Sequence, residues 1–180
     1  METMEKVLTR WAVDPTHSEL AFSVRHMMMT RVKGEFTNFN IAVAGGEIVQ
    51  SPVKVHIEAA SIDTNNEGRD DHLKSADFFD VENYPEITFE GNSWRRKAHG
   101  EYELIGTLTI KGISKPVELD VAFGGIHMDP WGNEKAGFSI EGKINRQDWG
   151  LTWNAALETG GVLVSDEVKI SGEIQFIKQS

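Results

Sequence analysis

The sequence predicts an all-β protein, specifically an antiparallel eight-stranded barrel with one or two short helices across one end. Three observations lead to this prediction. Apolar and polar residues alternate with period 2 along most of the chain, as in strands with one apolar and one wet face. Short Gly- and Pro-containing turn signals separate roughly eight such runs. The alternation fails over residues 65–80, where apolar residues fall at helical spacing instead.

The strand-like runs follow one another with mostly short connections, as expected for antiparallel neighbours. In chain order, the clearest alternating runs are residues 20–24, 53–59, 87–89, 117–123, 138–144 and 168–176. The turn signals that bound them are residues 44–46, 111–112, 124–125, 129–132 and 160–161. Before the first of these runs, Asp14 and His17 have the spacing of a local hydrogen bond.

Closure into a barrel is predicted because an open sheet with so many strands would leave unpaired edges. The chain also has few helical segments that could cover a second face of an open sheet. Its 180 residues form one domain, residues 1–180. A barrel of about eight strands is either filled by its own side chains or holds one small ligand.

The interruption, DTNNEGRDDHLKSADFFD at residues 63–80, begins like a calcium-binding loop. Its twelfth position holds Lys74, where such a loop needs a bidentate Glu, and a strand rather than a helix precedes it. We therefore predict no metal site there. We expect Leu73, Phe78 and Phe79 to press against the barrel end as a plug or lid.

The composition excludes several function classes. The chain has a formal net charge of −10, and its one basic run is Arg95-Arg96-Lys97, so binding to nucleic acid is not expected. It has no Cys, which excludes thiolate catalysis and disulfides. No signal peptide or membrane-spanning stretch is recognised, so we expect a cytoplasmic protein. No nucleophile-elbow, phosphate-loop or zinc-protease motif occurs, and we assign no catalytic residue.

Residues on the inward parity of the strands, together with the plug, are the candidate ligand-binding residues of an apolar tunnel. The alternative is that these side chains fill the barrel themselves. Among them, His26 could hydrogen-bond a ligand's polar group, and Met28 is the one residue of Met27-Met28-Met29 expected to point inward. The full set is Leu20, Phe22, Val24, His26, Met28, Val55, Ile57, Phe78, Phe79, Phe89, Leu108, Ile110, Leu119, Val121, Phe138, Ile140, Ile170 and Ile174.

One more pattern near the end of the chain concerns two charged residues. Arg146 and Asp148 flank Gln147 and are interpreted as neighbours on one face of a strand, where they would form a structural ion pair.

Ordered motifs along nearly the whole chain carry a resemblance to a known family. They are Asp14-Pro15-Thr16-His17-Ser18, Phe22-Ser23-Val24-Arg25-His26, Ser61-Ile62-Asp63-Thr64, Asp77-Phe78-Phe79-Asp80, Tyr84-Pro85-Glu86-Ile87-Thr88-Phe89 and Gly106-Thr107-Leu108-Thr109-Ile110. In this order and spacing, they resemble the YceI-like family of lipid-binding proteins. The resemblance implies a lipocalin-like barrel that holds an isoprenoid or isoprenoid quinone in an interior tunnel.

From the alternation and the resemblance together, we predict a protein that binds, stores or transports a long-chain amphiphile, and not an enzyme. The ligand would be an isoprenoid, an isoprenoid quinone or a fatty-acid-like lipid, with no other cofactor and no metal required. Two alternatives stay open: an enzyme acting on a small amphiphile in the same cavity, or a stress-related scaffold or interaction protein. The number of subunits also stays open, and a homodimer is one possibility.

Overall fold

The computed structural model of the chain describes residues 10–27, 29–154 and 163–179. Within them, the one α-helix is α1 (Glu67–Lys74), and 3-10 turns lie at Pro15–His17, Ile48–Gln50, Ala59–Ser61 and Arg146–Trp149. The strands are β1 (Arg10–Val13), β2 (Glu19–His26), β3 (Thr30–Phe36), β4 (Phe39–Val43), β5 (Val53–Glu58), β6 (Ile62–Asp63), β7 (Glu86–Ala98), β8 (Glu101–Ile110), β9 (Ile113–Met128), β10 (Glu134–Asn145) and β11 (Glu167–Gln179).

The strands close into an antiparallel barrel. The wall runs β1-β4-β5-β7-β8-β9-β10-β11 and returns to β1, and β2, β3 and β6 extend it beyond β11. Strands β1 and β2 are two parts of one interrupted strand, and β3 and β4 are two parts of another. The predicted eight-stranded barrel is therefore confirmed, with one α-helix in the described residues where one or two were expected.

The break between β1 and β2 is built by the residues around Asp14. The Asp14 carboxylate accepts from the backbone N–H of Thr16 at 3.1 Å and caps the 3-10 turn. On either side of the turn, strand β11 changes partner: its last residues pair with β1 and its first ones with β2. This exchange lets one long strand serve two sections of the wall.

The wall has a gap between β9 and β10. These two strands pair only from Asp120–Glu141 to Met128–Glu134, whereas β9 pairs with β8 along its first half and β10 pairs with β11 down to Asn145. Gly142 lies at the edge of the gap, and a Cβ there would stand 2.7 Å from Leu119 Cδ2. Nearby, the indole N–H of Trp149 donates to the Leu108 carbonyl at 2.9 Å and fixes the 3-10 turn beside the gap.

The interior is divided into a filled half and a hollow half. At the end where β1 begins and β11 stops, Phe123 stacks on Phe138 at 4.9 Å between ring centroids, and Phe138 meets Phe176 edge-on at 5.8 Å. Trp11 and Ala136 complete this packed aromatic layer. Toward the β2–β3 turn, the inward side chains leave the centre of the barrel unfilled, and a cavity opens.

Candidate functional site

The hollow half of the barrel contains a cavity of about 420 Å³. This size lies within the range of about 300–1,000 Å³ that is common for small-molecule sites. Its wall is almost entirely aliphatic and aromatic, with contributions from both the barrel strands and α1. Gly34 is part of the reason that the wall fits together, because a Cβ there would collide with the ring of Phe22.

Most of the residues proposed from the strand parity do line this cavity. Those that lie in its wall are Leu20, Phe22, Val24, His26, Val55, Ile57, Phe78, Phe79, Phe89, Leu108, Ile110, Leu119, Ile140 and Ile170. Their contact with a ligand stays a prediction. Met28 lies outside the described residues.

Three of the proposed residues lie elsewhere. Val121, Phe138 and Ile174 belong to the buried core of the filled half and do not border the cavity among the described residues. Their parity is correct, since all three point inward. Period 2 fixes the face of a strand that a side chain occupies, but not its depth along the barrel axis.

Other wall residues were not proposed from the sequence. Ile144 and Val168 share the inward parity of Ile140 and Ile170, so the pattern could have found them. Val32 lies on β3, opposite Val24 on β2. The polar wall residues Arg69 and Arg146 have no such signal, because their place depends on how the helix and the 3-10 turn dock.

The segment after α1 closes one side of the cavity with aromatic rings. Phe78 is 6% exposed and lies 5.4 Å from Trp153, while Phe79 meets Phe36 edge-on at 6.0 Å, measured between ring centroids. His72 on α1 contacts both Phe78 and Trp153 edge-on, at 5.2 and 4.7 Å. Together with Leu73, these rings give the cavity a wall that the strands do not supply.

A polar group on α1 borders the same side. Arg69 Nε donates to Thr64 Oγ1 and Arg69 Nη2 donates to the Thr64 carbonyl, both at 2.8 Å. The Asp70 carboxylate accepts from the Thr64 backbone N–H at 2.9 Å and from its hydroxyl. Arg69 forms no ion pair with any described residue, and its two hydrogen bonds to Thr64 hold the guanidinium at the cavity wall.

Arg146 lies in the cavity wall and is only 3% exposed. Its guanidinium donates to the carbonyls of Leu151, Trp153 (2.9 Å), Val164 (3.3 Å) and Ser165 (2.9 Å). These acceptors lie on both sides of residues 155–162, so the arginine ties the two ends of that segment together.

The interpretation of Arg146 and Asp148 as a strand ion pair is wrong, because both residues lie in a 3-10 turn. The carboxylate near Arg146 is instead that of Asp166, at 3.7 Å. Burial lowers the pKa of Arg146 below its ordinary value, and the charge of Asp166 opposes this effect.

An outer groove meets the cavity at the gap between β9 and β10. It has a volume of about 800 Å³, and both outward-facing and inward-facing residues of the wall line it. Val117, Ile144 and Ile170 border the cavity and the groove alike. The interior is therefore separated from this groove only by a few aliphatic side chains.

The described ranges contain no cluster of three or more His, Asp or Glu side chains arranged to hold a metal ion. Within the same ranges, no helix is long and apolar enough to cross a membrane.

The fold and the cavity define a class: antiparallel barrel proteins with an apolar internal chamber. The chain belongs to the YceI-like family, whose domain matches residues 11–176. A UPF0312 protein of Staphylococcus aureus is 40% identical over 172 residues, which cover 94% of this chain and 98% of that protein.

Solved structures agree with this assignment. The YceI protein of Campylobacter jejuni is 30% identical, with a TM-score of 0.74 over 87% of this chain and 90% of its own. A polyisoprenoid-binding domain from Saccharophagus degradans, at 13% identity, has a TM-score of 0.66 over 95% of this chain and 99% of that domain. This last similarity shows a shared fold.

Proposed function

We propose that the protein binds a long-chain amphiphile in its cavity and stores or carries it. The isoprenoid, isoprenoid quinone and fatty-acid-like classes are the candidate ligands. The observation that carries the proposal is the apolar cavity inside a barrel whose other half is packed. The polyisoprenoid-binding activity in the name of the Saccharophagus degradans domain supports the same ligand class.

The energetics favour a chain-shaped ligand. Each buried methylene contributes about 0.8 kcal/mol, so ten of them contribute about 8 kcal/mol before the cost of ordering the chain. An aliphatic wall gives this free energy to prenyl and acyl chains alike. Selectivity must therefore come from the few polar wall groups, of which Arg69 and His26 are the best placed to contact a headgroup.

The chemistry of the wall favours binding over catalysis. Among its described residues there is no carboxylate, and its one hydroxyl, that of Thr64, is already engaged by Asp70 and Arg69. The imidazole of His72 is held by Asp77, with 2.9 Å between Nε2 and Oδ2, and by the edges of two aromatic rings. We therefore propose a binding protein rather than an enzyme.

The proposal is tested by identifying what the purified full chain retains. Native mass spectrometry and solvent extraction should recover a long-chain amphiphile. Ile140→Trp fills the cavity from its wall and should sharply reduce the retained amount. Ile126→Trp is the matched control, because Ile126 is 54% exposed outside the cavity. A protein that is reproducibly empty and takes up no prenyl or acyl probe would contradict the proposal.

A further inference from the structure

The fold gathers basic side chains on one outer face, although the chain as a whole carries a net charge of −10. Arg25, Arg31, Lys33, Lys143 and Lys169 all point outward and are exposed on the adjacent strands β10, β11, β2 and β3. We call these five residues the basic face. They come from four separate stretches of sequence, so they do not form a basic run that could be recognised in the sequence.

The strand register places like charges directly opposite one another. Lys143 pairs with Lys169 across β10 and β11, and Arg25 pairs with Arg31 across β2 and β3. Directly opposed like charges destabilise a sheet. Two such pairs on neighbouring strands repel, and a bound negative charge would relieve this repulsion.

The described residues supply little of this negative charge. Of the five side chains, only Lys33 forms an ion pair with a described residue, at 3.5 Å to Glu19. Glu167 lies among them by the strand order, and Glu141 and Glu35 border them on the same outward faces. None of these three carboxylates forms an ion pair with the basic face among the described residues. The outer groove is also lined by Glu118, Asp120, Glu141 and Asp148, of which Asp120 is held by Lys97 at 2.9 Å.

Two further features adjoin the basic face: exposed apolar side chains at a turn, and the outer groove. At the β2–β3 turn, Met27 is 45% exposed and Met29 is 81% exposed, directly between Arg25 and Arg31 in sequence. In addition, Lys143, Lys169 and Arg31 border the outer groove, which reaches the cavity wall at the gap between β9 and β10. Positive charge, exposed apolar side chains and the thinnest part of the cavity wall thus coincide at the hollow end.

We propose that the basic face docks on the surface of an anionic lipid bilayer. The lysines and arginines contact the charged headgroups, and Met27 and Met29 enter the interfacial layer. A combination of basic and apolar contacts is what reversible attachment to a membrane surface requires. Nucleic acid would satisfy the charges but would leave the methionines exposed. Docking in this orientation sets the outer groove and the thin part of the cavity wall against the bilayer, where a lipid can be exchanged.

Vesicle flotation tests this proposal with the intact protein. It should bind vesicles of equal parts phosphatidylcholine and phosphatidylglycerol, and not vesicles of phosphatidylcholine alone. Each basic residue near an anionic surface strengthens attachment by about five-fold, so Lys143→Gln with Lys169→Gln should weaken it about 30-fold. Added salt should weaken binding of the wild type. Met29→Ser should weaken binding without changing this dependence on salt.

The control is Lys54→Gln with Lys115→Gln, which changes the net charge equally, outside the basic face. This variant should bind anionic vesicles nearly as well as the wild type. Equal binding to both vesicle types, equal loss in the two double variants, or binding to an oligonucleotide but not to vesicles would overturn the proposal. Ligand retention by the Lys143 and Lys169 double variant, measured separately, should be unchanged. A failure of the docking proposal can therefore be distinguished from a failure of the proposed ligand binding.

Discussion

Asp14 and Arg146 are the charged residues that the described part of the chain buries, and both hold a discontinuity in the barrel. Arg146 ties the two ends of a long connection together at the hollow end. Asp14 holds the break between β1 and β2. The hydrogen bond predicted between Asp14 and His17 is confirmed, with 2.7 Å between Oδ2 and Nδ1, and the Lys135 ammonium adds a contact at 3.0 Å that the sequence did not suggest.

The Asp14 carboxyl should make stability depend on pH. Burial alone would raise its pKa, but hydrogen bonds from His17, Lys135 and the Thr16 backbone outweigh burial and hold the pKa below its ordinary value. Because the folded-state pKa is depressed, the stabilisation is complete above the unfolded pKa of about 4 and is lost as pH falls through the folded pKa.

Asp14→Asn should therefore lower the free energy of unfolding at pH 7 by about 1–3 kcal/mol, as expected for lost hydrogen bonds to a charged group. The difference from the wild type should shrink as the pH falls below about 4. Urea denaturation across this range measures it. Asp71→Asn, at an exposed site on α1, is the control and should change little. A constant difference at all pH values would exclude this account of Asp14.

At the scale of elements, α1 and the aromatic segment behind it form a side wall that the strands lack. The sequence identified this segment because its apolar residues depart from the period-2 pattern. Leu73, Phe78 and Phe79, which were expected to press on the barrel end, line the cavity, and their role as a plug or lid stays a prediction. The wall is held by ring contacts to Phe36 on β3 and to Trp153, which lies just before residues 155–162. Its closure thus depends on side chains from three distant parts of the chain.

Phe78→Ala and Phe79→Ala, singly and together, should open this wall. Loss of a buried Phe side chain costs about 3–5 kcal/mol, and the half-buried Phe79 should cost less than Phe78. The variants should also release a bound prenyl or acyl probe faster, as measured by transfer to acceptor vesicles. Phe123→Ala in the filled half is the control, because it should lower the melting temperature without faster release. Unchanged release in the Phe78 and Phe79 variants would show that the segment is no lid.

The presence of the strands, and the face of each strand that lies inward, could be predicted because alternation is a local property of the sequence. Runs such as residues 117–123 and 168–176 lie within β9 and β11. The basic face was not predictable, since Lys143 meets Lys169 only through the register of β10 against β11. The gap beside Gly142 could not be predicted either, because the sequence of one strand does not show where its pairing with the neighbouring strand ends.

At the scale of the whole molecule, the barrel combines a packed half, which supplies stability, with a hollow half, which supplies a site. The same inward parity runs through both, so the sequence placed Val121, Phe138 and Ile174 with the tunnel residues. What separates the halves is side-chain volume summed across the barrel, where Phe123, Phe138 and Phe176 meet at one level. That sum depends on the stagger of all the strands, which alternation within one strand does not determine.

The difference in packing between the two halves can be measured with the same type of substitution at two positions of β11. Ile174 is 1% exposed in the filled half, and Ile170, two repeats of the pleat away on the same face, borders the cavity. Ile174→Ala should reduce the free energy of unfolding by about 3–5 kcal/mol, because it leaves a void in close packing. Ile170→Ala removes the same atoms beside existing empty space and should cost about 1–2 kcal/mol. Urea denaturation of the delipidated protein gives both values. Equal losses would mean that the cavity wall is as tightly packed as the core, and the barrel would then have no hollow half in solution.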